Sequence, residues 1–368
     1  MDKARPELQR KGLCYIEGPI AWRRRSRDES GDKREHVGGC GVKMEGSMNP
    51  PEFQTIALIG FGEAGGILGA DLARLGGVKV RTYDILLADA AQRDAMLRKA
   101  EAAGVATASS HAAAAAAANL VISTVTAASS LDVAMTIAPH LCRGQVYLDL
   151  NSVSPETKRK SARVVEAAGA DYVEAAVMAS VPPKRLAVPM LLGGRRAAEL
   201  AAALGRMGFD ATAVADEIGV ASAVKMCRSV MMKGIEALTV ECLFGARRYG
   251  AERQVLASLA HTFPGMGWDK SLPDYLVSRV AEHGRRRAAE MREVAATLTD
   301  GGIAPRMASA TAELHDWLVD ALAECGTSIR HDGSFDWRCA VDALLNRDAP
   351  ARSEGFMGRG RVTSAAPL

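Results

Sequence analysis

The sequence predicts an α/β fold, a doubly wound sheet followed by an all-α C-terminal domain, and three observations predict it. From Thr55 onward, short apolar runs alternate with alanine-rich helical stretches, the order expected of βαβ units around a parallel sheet buried on both faces. The first of these runs leads directly into a glycine-rich turn that opens a helix. After Ala213 the helical pattern continues and no further strand is evident, and a length of 368 residues suits two domains rather than one.

The strand-like runs fall at 56–59, 78–83, 119–125, 145–150, 171–177 and 187–192, separated by helical stretches near 63–75, 87–103, 110–118, 128–138, 155–168 and 195–206. A proline-free segment from Asp216 to about Arg247 is long enough for a helix joining two domains, and further helices are expected near 251–261, 272–298 and 305–325. Residues 1–47 show no helical or strand period, and they read as a disordered or mis-assigned N-terminal extension, with Met48 or Met44 as the alternative initiator. The expected domains are therefore 52–215 for the sheet, 216–345 for the helices, and 346–368 as a frayed tail rich in Ala, Arg, Gly and Pro.

Composition excludes several function classes. With 48% hydrophobic and 24% charged residues the chain is an ordinary globular one, and aromatics at 5% are too few for a surface that stacks bases. The net charge of +3 resides in residues 1–47, where eleven Lys/Arg face eight Asp/Glu, so the remainder is neutral and no nucleic-acid or membrane partner is expected. Seven cysteines without a C-x-x-C pair, and no signal peptide, point to a cytoplasmic location with neither a disulfide framework nor a metal site.

Gly60-Phe61-Gly62-Glu63-Ala64-Gly65 follows the first strand and opens a helix, the setting in which G-x-G-x-x-G reads as a dinucleotide site on a Rossmann-type sheet. Gly60 permits the tight turn, Gly62 lets the backbone approach a pyrophosphate, and Gly65 lets helix and strand pack closely. Nineteen residues after Gly65, Asp84 ends the next strand, placed to accept hydrogen bonds from ribose hydroxyls and to repel a 2′-phosphate. NAD is thus expected over NADP, and no Arg follows Asp84 within eight positions.

Asp149-Leu150-Asn151-Ser152-Val153-Ser154-Pro155 marks a strand end and a helix start, where open α/β sheets bind ligands. Asn151 and Ser152 have two readings: donors to a substrate carboxylate or hydroxyl, or caps of the helix that Pro155 begins. Lys225 stands in a polar stripe (Ser222, Lys225, Ser229, Lys233, Glu236) on an otherwise apolar helix. That stripe is either a solvated face or, at Lys225, a lysine desolvated beside a cofactor and able to exchange protons there. The later cluster His283 to Arg287, with Glu290, is either a cation source for an acidic substrate or a solvated helix face.

Together these motifs resemble the β-hydroxyacid dehydrogenase family, which contains 3-hydroxyisobutyrate and phosphogluconate dehydrogenases. The resemblance spans roughly 54–245, through the fingerprint at 60–65, a D-x-S-T-x-x-P-like stretch at 149–155 and a G-x-G-x-x-x-K-like stretch at 219–225, while 250–330 resembles the helical C-terminal domain of phosphogluconate-dehydrogenase-like proteins. It implies that Lys225 exchanges the proton of the substrate hydroxyl, that Ser123, Thr124 and Val125 lie along the nicotinamide ribose, and that Asn151, Ser152, Met178 and Ser229 face the substrate. Three departures stand out: the family's D-x-P-V-S-G-G loop reads Glu174 to Ser180 here, its Asn four residues after the lysine is Ser229 preceded by Arg228, and the second glycine of the lysine motif is Ala221. The function expected is an NAD-dependent oxidoreductase acting on the CH–OH of a small hydroxy acid or related alcohol, in a homodimer or higher homo-oligomer. The alternatives are an imine reductase on the same fold and a non-catalytic NAD-binding regulator.

Overall fold

A computed structural model describes residues 53–116, 118–326 and 335–347, so the extension expected over 1–47, and all but the first two residues of the tail expected from 346, lie outside the described residues. The strands are β1 (Thr55–Ile59), β2 (Lys79–Tyr83), β3 (Ala106–Thr107), β4 (Leu120–Ser123), β5 (Val146–Asp149), β6 (Asp171–Val177), β7 (Met190–Gly193) and β8 (Ala211–Ala215). Between and after them run α1 (Glu63–Ala73), α2 (Arg93–Ala102), α3 (His111–Ala115), α4 (Ser130–Ile137), α5 (Pro155–Ala167), α6 (Val181–Lys184), α7 (Ala197–Arg206), α8 (Val220–Arg248), α9 (Glu252–Thr262), α10 (Leu272–Asp300), α11 (Arg306–Glu324) and α12 (Trp337–Arg347).

The strands form one sheet in the order β3-β2-β1-β4-β5-β6-β7-β8. Strand alternation divides its core into two layers: Ile56, Leu58, Leu120, Ile122 and Leu148 face one side, and Ala57, Ile59, Val121 and Tyr147 face the other. Helices cover both faces, which is why the strands read as unbroken apolar runs.

Two features depart from the sequence expectation of a six-stranded parallel sheet. The pairing of β6 with β7 is antiparallel, because the connection between them holds only the four-residue α6 and a single turn of 3₁₀-helix. A bond from Met178 N–H to Pro189 O closes that connection like a hairpin, with no helix to carry a parallel crossover. Strands β3 and β8 escape a reading by hydropathy, the first being two exposed residues and the second an alanine-rich edge strand.

The chain divides into two compact units. One comprises the described residues to Met231 together with Glu290–Ala308, and the other comprises Met232–Ala289 with the described residues from Ser309 onward. The second unit has its own core, built from Val240, Leu243, Val277, Val280, Leu318 and Trp337 among others. Within it Arg287 is buried and its Nε donates to Glu236 Oε2 at 2.7 Å, while Arg285 pairs with Asp316 at 3.1 Å and with Asp320. Burial pushes the Glu236 carboxyl up, against the opposing pull of Arg287, Lys233 and Arg279.

Helix α8 turns most of its polar stripe inward, beside buried apolar residues such as Met226, Val240 and Leu243. The polar residues Ser222, Ser229, Lys233 and Glu236 are buried, whereas Val224, Met231 and Leu238 are exposed, Met231 by 64%. The solvated-stripe reading is therefore corrected. Polar groups point inward because buried partners await them, as Arg287 does for Glu236.

Under the C-terminal edge of the sheet lies a buried ion pair, Lys158 Nζ to Asp149 Oδ1 at 3.0 Å, with both side chains 1% exposed. Lys158 also donates to the Asp149 carbonyl at 2.8 Å, and Tyr172 OH donates to Asp149 Oδ2 at 2.7 Å. Lys158→Met leaves that carboxylate buried without its cation, and a loss of about 3–5 kcal/mol is expected in denaturant unfolding. A loss below about 1 kcal/mol would mean that water reaches Asp149.

Candidate functional site

The glycine fingerprint is shaped by contact distances. Gly60 has φ +90°, and a Cβ there would lie 2.6 Å from Thr124 O. A Cβ on Gly65 would lie 2.2 Å from Gly60 O and 2.6 Å from Thr124 Oγ1, so α1 is pressed directly against the turn. Thr124 reinforces that contact by donating from Oγ1 to Gly60 O at 2.8 Å. Gly62 differs, since a Cβ on it would meet nothing within 4 Å of the protein. Its residue is the N-cap of the eleven-residue α1, with no side-chain cap, and Gly62 and Glu63 are exposed beside the part-exposed Ala64. Lys99 of α2 donates to the carbonyls of Phe61 and Gly62 at 2.7 Å each, drawing the loop's acceptors toward itself. An open, uncapped helix start with an anion-favouring dipole, reached through a position that only hydrogen leaves clear, fits a dinucleotide pyrophosphate.

Asp84 ends β2 beside this turn. Its Oδ2 accepts from Phe61 N–H at 2.6 Å and its Oδ1 from Leu86 N–H at 3.0 Å. A carboxylate offers about four acceptor positions, so these two bonds orient the group and leave capacity for ribose hydroxyls.

At the ends of β4 and β5 the sequence-predicted residues meet one another. Asn151 is buried, donates from Nδ2 to Ser123 Oγ at 2.9 Å and to Ser130 Oγ at 3.1 Å, and accepts at Oδ1 from Val125 N–H at 2.7 Å. Its amide thus holds the loop after β4. Capping of α5 falls to Ser154, whose Oγ accepts from Thr157 N–H at 3.2 Å. Ser152 is left part-exposed, and its Oγ accepts a short hydrogen bond from Lys225 Nζ. One turn further along α8, Ser229 is buried, and Arg228 reaches Met178 O with Nη1 at 3.5 Å. Ser152 and Lys225 are thereby brought together, and Met178 lies at the end of β6 on the same sheet edge.

Several residues of this region were not read from the sequence. Glu174 was the most legible, because a carboxylate inside the apolar run Tyr172 to Val177 signals a buried, partnered charge. It is fully buried and accepts at Oε1 from the N–H groups of Gly219 at 2.6 Å and Ala221 at 3.1 Å. Lys99 and Glu293, whose Oε2 accepts from Ser154 N–H at 2.9 Å, carry no local pattern, since each acts on a loop distant in sequence, while Lys158 reaches back nine residues to Asp149. Among the described residues no cluster of His, Cys, Asp or Glu could hold a metal ion, and no helix is long and apolar enough to cross a membrane.

Residues 55–214 match the family described as the NAD binding domain of 6-phosphogluconate dehydrogenase, and 246–318 match a domain of unknown function, DUF1932. A conserved hypothetical protein from Sinorhizobium meliloti 1021 is 38% identical, with a TM-score of 0.67 over 80% of this chain and 96% of that one. An uncharacterized 28.5 kDa protein of Methanothermus fervidus is 30% identical over 196 residues, 52% of this chain and 73% of that protein. The fold also matches 3-hydroxyisobutyrate dehydrogenase of Mycobacterium tuberculosis at a TM-score of 0.59, with 17% identity over 79% of this chain and 99% of that one.

The two kinds of crowding at the fingerprint separate experimentally. Gly62→Ala is expected to keep the thermal midpoint and to weaken dinucleotide binding at least about tenfold, since the added methyl meets no protein atom. Gly65→Ala is expected to lose about 1–3 kcal/mol of stability as well, because the methyl meets protein. Calorimetry of both variants checks this, and equal stability loss in the two would contradict the geometry.

Proposed function

The chain belongs to the family that joins an NAD binding domain of the 6-phosphogluconate dehydrogenase type to a DUF1932 domain, and from that premise we propose that it is an NAD-dependent oxidoreductase acting on the CH–OH group of a small hydroxy acid or related alcohol. The observation that carries the proposal is the bond from Lys225 Nζ to Ser152 Oγ at the C-terminal edge of β5. It sets an amine against a hydroxyl, the arrangement needed to take up or return the proton of a substrate carbinol.

NAD supplies, when bound, the nicotinamide carbon that accepts or gives the hydride. The chain's residues do the remainder. Gly60 to Gly65 would hold the pyrophosphate at the start of α1, with Asp84 on the adenosine ribose and Ser123 to Val125 along the nicotinamide ribose. Asn151 steadies that last segment through Val125 N–H. Ser152 would orient the carbinol while Lys225 carries its proton, and Arg228 beside Met178 adds a cation suited to a substrate carboxylate. Met178 and Ser229 complete the substrate's surroundings in this reading.

Lys225→Met keeps the apolar stem and removes the amine. Turnover on a hydroxy acid found by screening is expected to fall by roughly 10²–10⁴, with NAD affinity retained. Wild-type turnover in that variant, read by absorbance of the reduced nicotinamide, would falsify the role of Lys225. Asp84→Ser is expected to shift preference from NAD toward NADP by about 1.5–3 kcal/mol, the loss of one charged hydrogen bond. A wild-type protein that binds NADP better than NAD would refute the assignment of Asp84.

A further inference from the structure

We infer that Glu174 is a positioning residue: its buried carboxylate fixes the first turn of α8 to β6 and so sets where Lys225 stands relative to Ser152. The inference deepens the proposed function and rests on it for the chemical importance of Lys225, although the anchoring itself does not.

Three sets of contacts carry it. The first is the pair of bonds from Gly219 and Ala221 N–H to Oε1, which occupy donors that the helix start leaves free. Among the described residues its hydrogen bonds come from backbone N–H groups at the positive end of the 29-residue α8, a setting that favours a carboxylate. The second is the clearance around it. A Cβ on Gly193, the β7 partner of Glu174, would lie 2.6 Å from Oε1, and one on Gly194 would lie 3.0 Å from Ile218 Cδ1. Gly219 has φ +106°, and a Cβ there would lie 2.8 Å from the Arg159 guanidinium. Glycines on both sides thus admit the carboxylate and the chain that turns into α8, and neither can slide.

The third is register. Glu174 is the β6 partner of Asp149 on β5, so both carboxylates sit at one level of the sheet. Ser152 lies three residues beyond Asp149, at most roughly 10 Å further along a strand direction. From Ala221 to Lys225 the helix climbs about 6 Å, and the lysine side chain spans the rest. Glu174, α8, Lys225, Ser152 and β5 therefore close a ring of fixed links, each a hydrogen bond or a regular element. An aspartate at 174, one methylene shorter, would draw its carboxylate back from the Gly219 and Ala221 N–H groups.

The test measures Lys225 directly. The full-length protein and its Glu174→Ala, Glu174→Gln and Glu174→Asp variants are acetylated with limiting acetic anhydride across a pH series, and the label at Lys225 is quantified by peptide mass spectrometry, with Lys160 as the internal reference. Glu174→Ala is expected to change the Lys225 labelling rate at least about threefold and to displace its pH dependence, because the amine loses its fixed partner. NAD affinity should stay within about twofold, since the fingerprint lies on other strands. Glu174→Gln, whose amide oxygen can accept the same two bonds, is expected to restore the wild-type rate, and Glu174→Asp is not. Wild-type labelling in Glu174→Ala, or in Glu174→Asp should the alanine variant not fold, overturns the inference; so does failure of the glutamine variant to rescue. Lys225→Met with full turnover would sink the enzymatic reading and leave the labelling result standing, so the two failures are distinct.

Discussion

The site depends first on Asp149, a carboxylate sealed beneath the edge of the sheet. An isolated anion there would be prohibitive, so the surrounding sequence is committed to satisfying it: Lys158 from α5, the hydroxyl of Tyr172 from β6, and the N–H of Asn151. Burial and the neighbouring charge of Asp149 push the Tyr172 phenol well above its ordinary range, so it stays a donor at any physiological pH. Each of these partners belongs to a different element. The carboxylate thereby ties β5, β6 and the start of α5 into one rigid corner, and Asn151 and Ser152 leave that corner in a defined direction.

Much of this arrangement was legible in the sequence because it is local. Gly60, Gly62 and Gly65 are constrained by their immediate turn, and Asp84 by the end of the following strand, so spacing alone set them at the turn and the strand end where the fold has them. Asn151 was located but its task was not, since its amide bonds to Ser123, Ser130 and Val125 depend on how β4 and β5 are paired. The antiparallel β7 lay beyond hydropathy for the same reason: an apolar strand buried on both faces reads alike in either direction. Lys158 meets Asp149 only nine residues away, but across a strand-to-helix turn that spacing does not describe, and Glu174 is held by donors some 45 residues on, so that only the break in an apolar run hinted at one of them.

Helix α8 shows how a correct pattern leaves its side open. Periodicity identifies a polar stripe without saying which way it faces, and the usual presumption is water. Here buried polar groups share the inner side with Met226, Val240 and Leu243, while Val224, Met231 and Leu238 are exposed. Polar groups are tolerated inside where they find a partner, as Glu236 does in Arg287. The arrangement exchanges hydrophobic burial for a specified rotation of the helix, which matters more where a side chain must reach a reacting atom.

The reversal of β7 has a consequence for which length changes this architecture can absorb. Because β7 and β8 run against β6, β8 heads away from the C-terminal edge of β5, and the chain turns back through Gly219 into α8. A residue inserted between β6 and β7 would fall in the short α6 and 3₁₀ connection, outside the pairing that Val177 and Met190 begin. One inserted between Ala221 and Lys225 would turn the lysine by about 100° around the helix and face it away from Ser152. Over evolutionary drift, then, indels should accumulate on one side of β8 and be purged from the other, so that the spacing from Gly219 to Lys225 behaves as a ruler rather than as a motif.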